Sequence, residues 1–120
     1  MEIITRPLNQ DEFAQALAVR MKVFVEEQKV PEDEEHDDLD ATATHFGAFL
    51  NDELIGTGRI VVIENTAKLG RIAVLAQYRG MNVGFRLVST MLEWAKAEGL
   101  SEAVLGAQLQ AIGFYERLGF

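Results

Sequence analysis

The sequence predicts a mixed α/β (α+β) fold in the order β-α-β-β-β-α-β-α, and three observations carry it. Apolar residues recur at helical spacing twice, at Phe13, Ala16, Leu17, Met21 and Phe24, and at Val83, Leu87, Val88, Met91, Leu92 and Ala95. Between these stripes lie three apolar runs divided by short polar turns, the pattern of an antiparallel meander. The third run leads through a glycine-bearing turn into the second helix and on to a short apolar strand. A strand–helix–strand unit implies a parallel pair with a right-handed crossover. With 120 residues, 48% of them hydrophobic, the chain is expected to form one domain spanning residues 1–120.

Taken in order, residues 2–6 alternate weakly and form a short first strand that Pro7 stops. Asn9 or Asp11 can cap the first amphipathic helix, expected from Gln10 to Glu27. Pro31 and a run of acids end that pattern, so Lys29 to Thr42 reads as loop with a short helical turn. Thr44 to Leu50 and Leu54 to Ile63 form a hairpin across Asn51-Asp52-Glu53, and Gly56 and Gly58 mark a bend or bulge. Ala67 to Leu75 is the third meander strand. The second helix runs to about Glu98 and stops at Gly99. Ser101 to Gly106 is the last strand. Gln108 to Leu118 is the last helix, with Gly119 as its C-cap; Gly113 inside it costs about 1 kcal/mol relative to Ala.

Composition excludes several functions. The net charge is −8, and nine acids and one base between Glu26 and Asp40 supply all of it; the rest of the chain is balanced. Local acidity argues against nucleic acid as a partner and suits a cationic one, such as an amine. The first residues lack a signal-peptide core, and no apolar run reaches membrane length, so a cytoplasmic protein without membrane partners is expected. Cysteine is absent, which removes disulfides, thiolate metal sites and a cysteine nucleophile together. Asp33-x-Glu35-x-Asp37 opens like a calcium loop. Asp38 stands where glycine is needed and Thr44 where a bidentate Glu is needed, so no metal is expected.

The chemistry points to the stretch around Gly80. A strand, a turn reading Gln77-x-x-Gly80-x-Asn82-x-Gly84 and an immediate helix put unpartnered backbone N–H groups and a partial positive charge at one spot, which suits a phosphate. Neither the dinucleotide fingerprint nor the nucleoside-triphosphate loop fits these residues. An ordinary strand-to-helix turn is the bland alternative for the loop alone. In an open sheet the ligand lies beyond the strand C-termini, beside this loop.

Three segments together resemble the GNAT superfamily of N-acetyltransferases. Gln77 to Gly84 resembles its acyl-CoA pyrophosphate loop, with Asn82 at a Gly/Ala position. Ala107 to Phe120, with Phe114-Tyr115-Glu116-Arg117-Leu118-Gly119-Phe120 at its end, is similar to the signature after the fifth strand. Arg20-Met21-Lys22-Val23-Phe24-Val25-Glu26-Glu27-Gln28, followed by Pro31, Glu35, Asp37 or Asp38, Asp40 and His45, resembles the ElaA-like and YjcF-like branch. The resemblance implies acetyl-CoA (CoA) as cofactor. It assigns the contacts to Ile72, Ala73 and Val74 on the strand, to Gln77, Arg79, Gly80, Met81, Asn82, Val83, Gly84 and Phe85 at the loop and helix start, and to Tyr115.

The same resemblance makes Tyr115 the general acid. Attack of an amine on a thioester expels a thiolate that must take a proton, and a phenol of pKa about 10 can supply it. A backbone N–H near Ala73 or Val74 is the expected oxyanion donor. The base stays open among Glu27, Glu35, Asp40 and His45, with Glu27 and Glu35 the leading carboxylates. Without cysteine, direct transfer in a ternary complex is the consistent mechanism.

Two further departures from the family pattern stand out. Gly106 lies near a position where many relatives have Asn, and the sequence ends at Phe120, where relatives continue into two more strands. The strand at Val104 is then expected to be an edge that pairs with a second copy, is covered by another segment, or is left in a shortened form. The main expectation is an N-acetyltransferase acting on a small cationic amine. The alternative is a shortened, non-catalytic module binding CoA or a partner protein.

Overall fold

Five strands form one mixed sheet in the order β1-β2-β3-β4-β5 in the computed structural model, which describes residues 2–27, 29 and 38–105. They are β1 (Ile3–Pro7), β2 (Thr44–Leu50), β3 (Glu53–Ile63), β4 (Thr66–Val74) and β5 (Glu102–Leu105). β1 to β4 pair antiparallel, and β4 pairs parallel with β5. Helix α2 (Val83–Ala97) makes the crossover, and α1 (Phe13–Arg20) joins β1 to the meander. The fold class is the mixed α/β arrangement expected. The expected last helix and the end of the last strand at Gly106 lie outside the described residues.

Turn chemistry sets the meander. Two-residue loops, Asn51-Asp52 and Glu64-Asn65, join β2 to β3 and β3 to β4. Asn51 and Asp52 both take positive φ (52° and 67°), as a turn matched to strand twist requires. Pro7 is the last residue of β1 and ends it, one position beyond the expected Arg6. It pairs opposite Phe46, and on an edge strand a missing N–H is tolerated.

Among the described residues each face of the sheet carries one helix. Leu87, Val88, Met91 and Ala95 of α2 pack with Phe46, Ile60, Ala67 and Leu69. Gly58 permits this approach, because a Cβ there would lie 2.9 Å from the Met91 sulfur. On the other face Ala16, Val19, Val23 and Phe24 pack with Phe49, Leu54, Ala73 and Leu75.

The first helix differs from the single run Gln10 to Glu27. It is a 3₁₀ turn (Gln10–Glu12), then α1, then a π segment (Met21–Glu27). Asn9 caps the start: its side chain accepts from the Glu12 N–H at 3.0 Å, and the Glu12 carboxylate accepts from the Asn9 N–H at 3.0 Å. The α and π forms differ by one residue per hydrogen-bonded step, too little to read from the spacing of seven residues.

Two bulges fall at the glycines that marked them, one beside Gly56 and one opposite Gly58. Ile55 is the extra residue between the Ala48–Gly56 and Phe49–Leu54 pairs. Between the Thr57–Ala73 and Arg59–Gly70 pairs, β4 carries two residues, Arg71 and Ile72, against Gly58 alone. Arg71 takes a φ of 51° there. A bulge adds a residue on one strand and bends it, which redirects that strand's end.

Candidate active site

The far half of β4 and the start of α2 form the candidate site. β5 pairs with β4 only from Thr66 to Leu69, so the edge from Gly70 to Val74 has no β5 partner among the described residues. β4 then runs into a 3₁₀ turn (Ala76–Tyr78) and the loop at Gly80. The turn is well tied: the Leu75 N–H donates to the Ile55 carbonyl at 3.0 Å, and Tyr78 N–H to the Leu75 carbonyl at 2.9 Å.

The loop presents main-chain donors beside an open surface. Gly80 has a φ of 87°, and a Cβ placed on it would meet nothing within 4 Å, so its surface is open. Asn82 caps α2 from the left-handed region, φ 62° and ψ 23°, and makes no side-chain capping bond. Asn is among the few residues that accept this conformation readily. The first bond of the helix is the Arg86 N–H to the Asn82 carbonyl, at 3.0 Å. The amides of Val83, Gly84 and Phe85 precede it and have no acceptor in the helix, which leaves donors for a phosphate. The cradle therefore fits the diphosphate that a CoA-type cofactor carries.

The expected cofactor contacts divide by what they can offer. Val83 is buried among the α2 contacts, so only its main chain is available. Ala73 is buried on the α1 side, while Ile72 and Val74 are half-buried. Gln77, Gly80 and Asn82 are exposed, and Gly84 is half-buried. Met81 and Phe85, 44% and 43% exposed, leave apolar surface beside the loop. Arg79 is exposed, but its Nε donates to the Val74 carbonyl at 3.0 Å, tying the loop to the end of β4. Glu27 closes the π segment. Glu35 and Tyr115 lie outside the described residues. Among the described residues no cluster of His, Asp and Glu is arranged to hold a metal, and no helix is long and apolar enough to cross a membrane.

On the face opposite α2 a buried ion cluster joins three elements. Arg20 donates to Asp40 through Nη1 (2.9 Å to Oδ1) and Nη2 (3.2 Å to Oδ2), and Arg59 through Nη1 (2.8 Å to Oδ1). Arg20, Asp40 and Arg59 are 1%, 6% and 7% exposed. Burial pushes the Asp40 carboxyl up, but the hydrogen bonds and charges of Arg20 and Arg59 outweigh it and hold the group below its ordinary value. Asp40 is thus a carboxylate occupied by two guanidinium groups, and it is unsuited to collecting a proton from an amine.

His45 pairs with Arg59 across β2 and β3, and its ring lies 4.4 Å from that of Phe13. Burial lowers its pKa, against the pull of Asp40, and favours the neutral ring. Its Nε2 is 3.0 Å from the Asp40 carbonyl, which only accepts, so Nε2 carries the proton and Nδ1 the lone pair.

Sequence reasoning missed Arg59, and it missed that β4 carries the extra residue opposite Gly58. Arg59 had a signal: it is the charged residue inside the largely apolar Leu54 to Ile63 run. Gly58 marked the place of the bulge but not the strand that carries it, because pairing register depends on the neighbouring strand.

With the geometry in place, known proteins locate the chain. The profile of the acetyltransferase (GNAT) family matches residues 10–120. YyaT of Bacillus subtilis is 38% identical over 120 residues, covering 98% of this chain and 81% of that protein. The N-acetyltransferase YjcF of the same organism is 35% identical over 112 residues, covering 93% and 80%. The crystal structure of Escherichia coli ElaA superposes with a TM-score of 0.85 at 28% identity, covering 98% of this chain and 86% of that one. A match through the loop, the meander and the last segment means that this chain belongs to the GNAT family of acetyltransferases.

Proposed function

We propose that the chain transfers an acetyl group from acetyl-CoA to a small cationic amine, by direct attack within a ternary complex. One observation carries the reading: an open turn at Gly80 to Phe85, suited to a phosphate, adjoins a bulged strand edge that has no β5 partner among the described residues. The amides of Val83, Gly84 and Phe85 hold the diphosphate, and the Gly70 to Val74 edge lines the thioester. Acetyl-CoA supplies an activated acyl carbon. Around it, the residues of the chain orient the two reactants and stabilise charge.

The amine gives up a proton and attacks the thioester carbon; the C–N bond forms and the C–S bond breaks. Negative charge gathering on the carbonyl oxygen is met by main-chain N–H groups near Ala73 or Val74. Tyr115 gives its proton to the departing thiolate. Glu27 or Glu35 takes the proton from the amine. The local acidity of the sequence from Glu26 to Asp40 suits a cationic acceptor.

Calorimetry with CoA, then thiol release with a panel of amines, tests this. Binding to wild type, turnover with at least one amine and a loss of about 10²-fold or more in Tyr115→Phe are expected. Absence of CoA binding removes the cofactor reading. An unchanged rate in Tyr115→Phe removes that residue from the acid role.

A further inference from the structure

We propose that Asp40 is a positioning residue for the acceptor side of the cleft, acting through Arg20 and Arg59. The proposal rests on the acetyl-transfer reading above and adds to it a determinant of acceptor binding. Arg20 is the last residue of α1, and the π segment begins at the next residue. Val23 and Phe24 of that segment pack in the same cluster as Ala73 and Leu75, at the end of β4. The π segment therefore lines the strand end on the face away from α2, while the cradle sits at the α2 start.

Apolar packing holds this wall against the sheet but does not fix where it sits along it, because dispersion and burial are non-directional. The Asp40 carboxylate adds direction. Both its oxygens are engaged by the Arg20 fork, and Oδ1 also accepts from Arg59. Arg59 pairs with Gly70, the residue before the Arg71–Ile72 bulge. One carboxylate thus references the start of the π segment to the strand beside the candidate oxyanion donors. π turns are rare and cluster at functional sites, and a seven-residue one needs tertiary support to persist. A shift of about 1 Å in a reacting partner can cost about 10²-fold in rate.

The test compares wild type, Asp40→Asn and Asn9→Ala. The last weakens the cap ahead of α1 without touching the cluster. Three quantities are read: CoA affinity by calorimetry, acceptor KM and kcat by thiol release, and amide exchange of Met21–Glu27. Asp40→Asn is expected to raise acceptor KM about 10-fold, leave CoA affinity within about twofold, and speed exchange in Met21–Glu27 before α2. Arg20→Lys keeps the charge but loses the fork, and is expected to act in the same direction with a smaller effect; it serves if Asp40→Asn does not fold. The proposal is overturned if exchange rises uniformly and both constants follow the folded fraction, as in Asn9→Ala. It is overturned equally if Met21–Glu27 loosens while acceptor KM stays put. A wild type that binds CoA but acetylates no amine removes the transfer reading, and the acceptor role of Asp40 falls with it.

Discussion

The two faces of the sheet are held by different chemistry. On the α2 face, Leu87, Val88 and Met91 meet Phe46, Ile60 and Leu69, and the helix leaves its N-terminal amides for a ligand. The α1 face adds to its apolar contacts a desolvated carboxylate gripped by two arginines, with a histidine beside it. The first arrangement is set by volume and tolerates any pH. The second is set by direction and charge, and it is brittle: an unpaired buried charge costs far more than a lost methyl contact in water.

Breaking the charged face should have the largest effect. Asp40→Ala removes a carboxylate that two buried guanidinium groups share and is expected to lower stability by about 3–5 kcal/mol, measured by urea unfolding. Met91→Ala on the apolar face is expected to cost about 2–5 kcal/mol, with an unchanged pH profile. If the two losses vary with pH in parallel, the contrast between the faces is wrong.

Gly80→Ala sharpens the role of the loop. An L side chain at a φ of 87° is strained by about 1–2 kcal/mol, so a modest fall in melting temperature is expected with a larger loss of CoA affinity. Equal affinity in variant and wild type would detach the loop from the cofactor. Asn9→Ala removes a cap worth about 1 kcal/mol and should leave CoA affinity alone.

Acidification separates the faces again, with small effects at first. His45 has a lowered pKa in the folded state, so its contribution is present above its ordinary value of 6.5 and is lost as pH falls below that. Asp40 is lowered too, and its contribution persists until pH falls through the carboxylate range. Glu12, bonded first of all to Arg6 at 2.6 Å, is lowered from 4.5 to about 2 and follows the same sign, its contribution being lost as pH falls from 4.5 through about 2. Unfolding measured from pH 7 to pH 3 should therefore weaken in two stages. His45→Gln should remove the earlier stage and keep the later one.

The sequence by itself determined the order of the described elements, the meander and its turns, the parallel crossover and the glycine turn ahead of α2. Those features are local: periodicity, turn residues and a glycine next to a helix start act over a few neighbouring positions. Asn82 illustrates the point, since its residue type already accepts the left-handed cap that α2 uses. Tertiary structure alone decided the bulge at Arg71–Ile72, the glycine clearance for Met91 and the meeting of Arg20, Asp40 and Arg59. These depend on partners brought together across the chain. Arg59 in a strand and Asp40 in an acid run look like surface charges until folding removes water from both, and their pairing then offsets part of the cost of burying each.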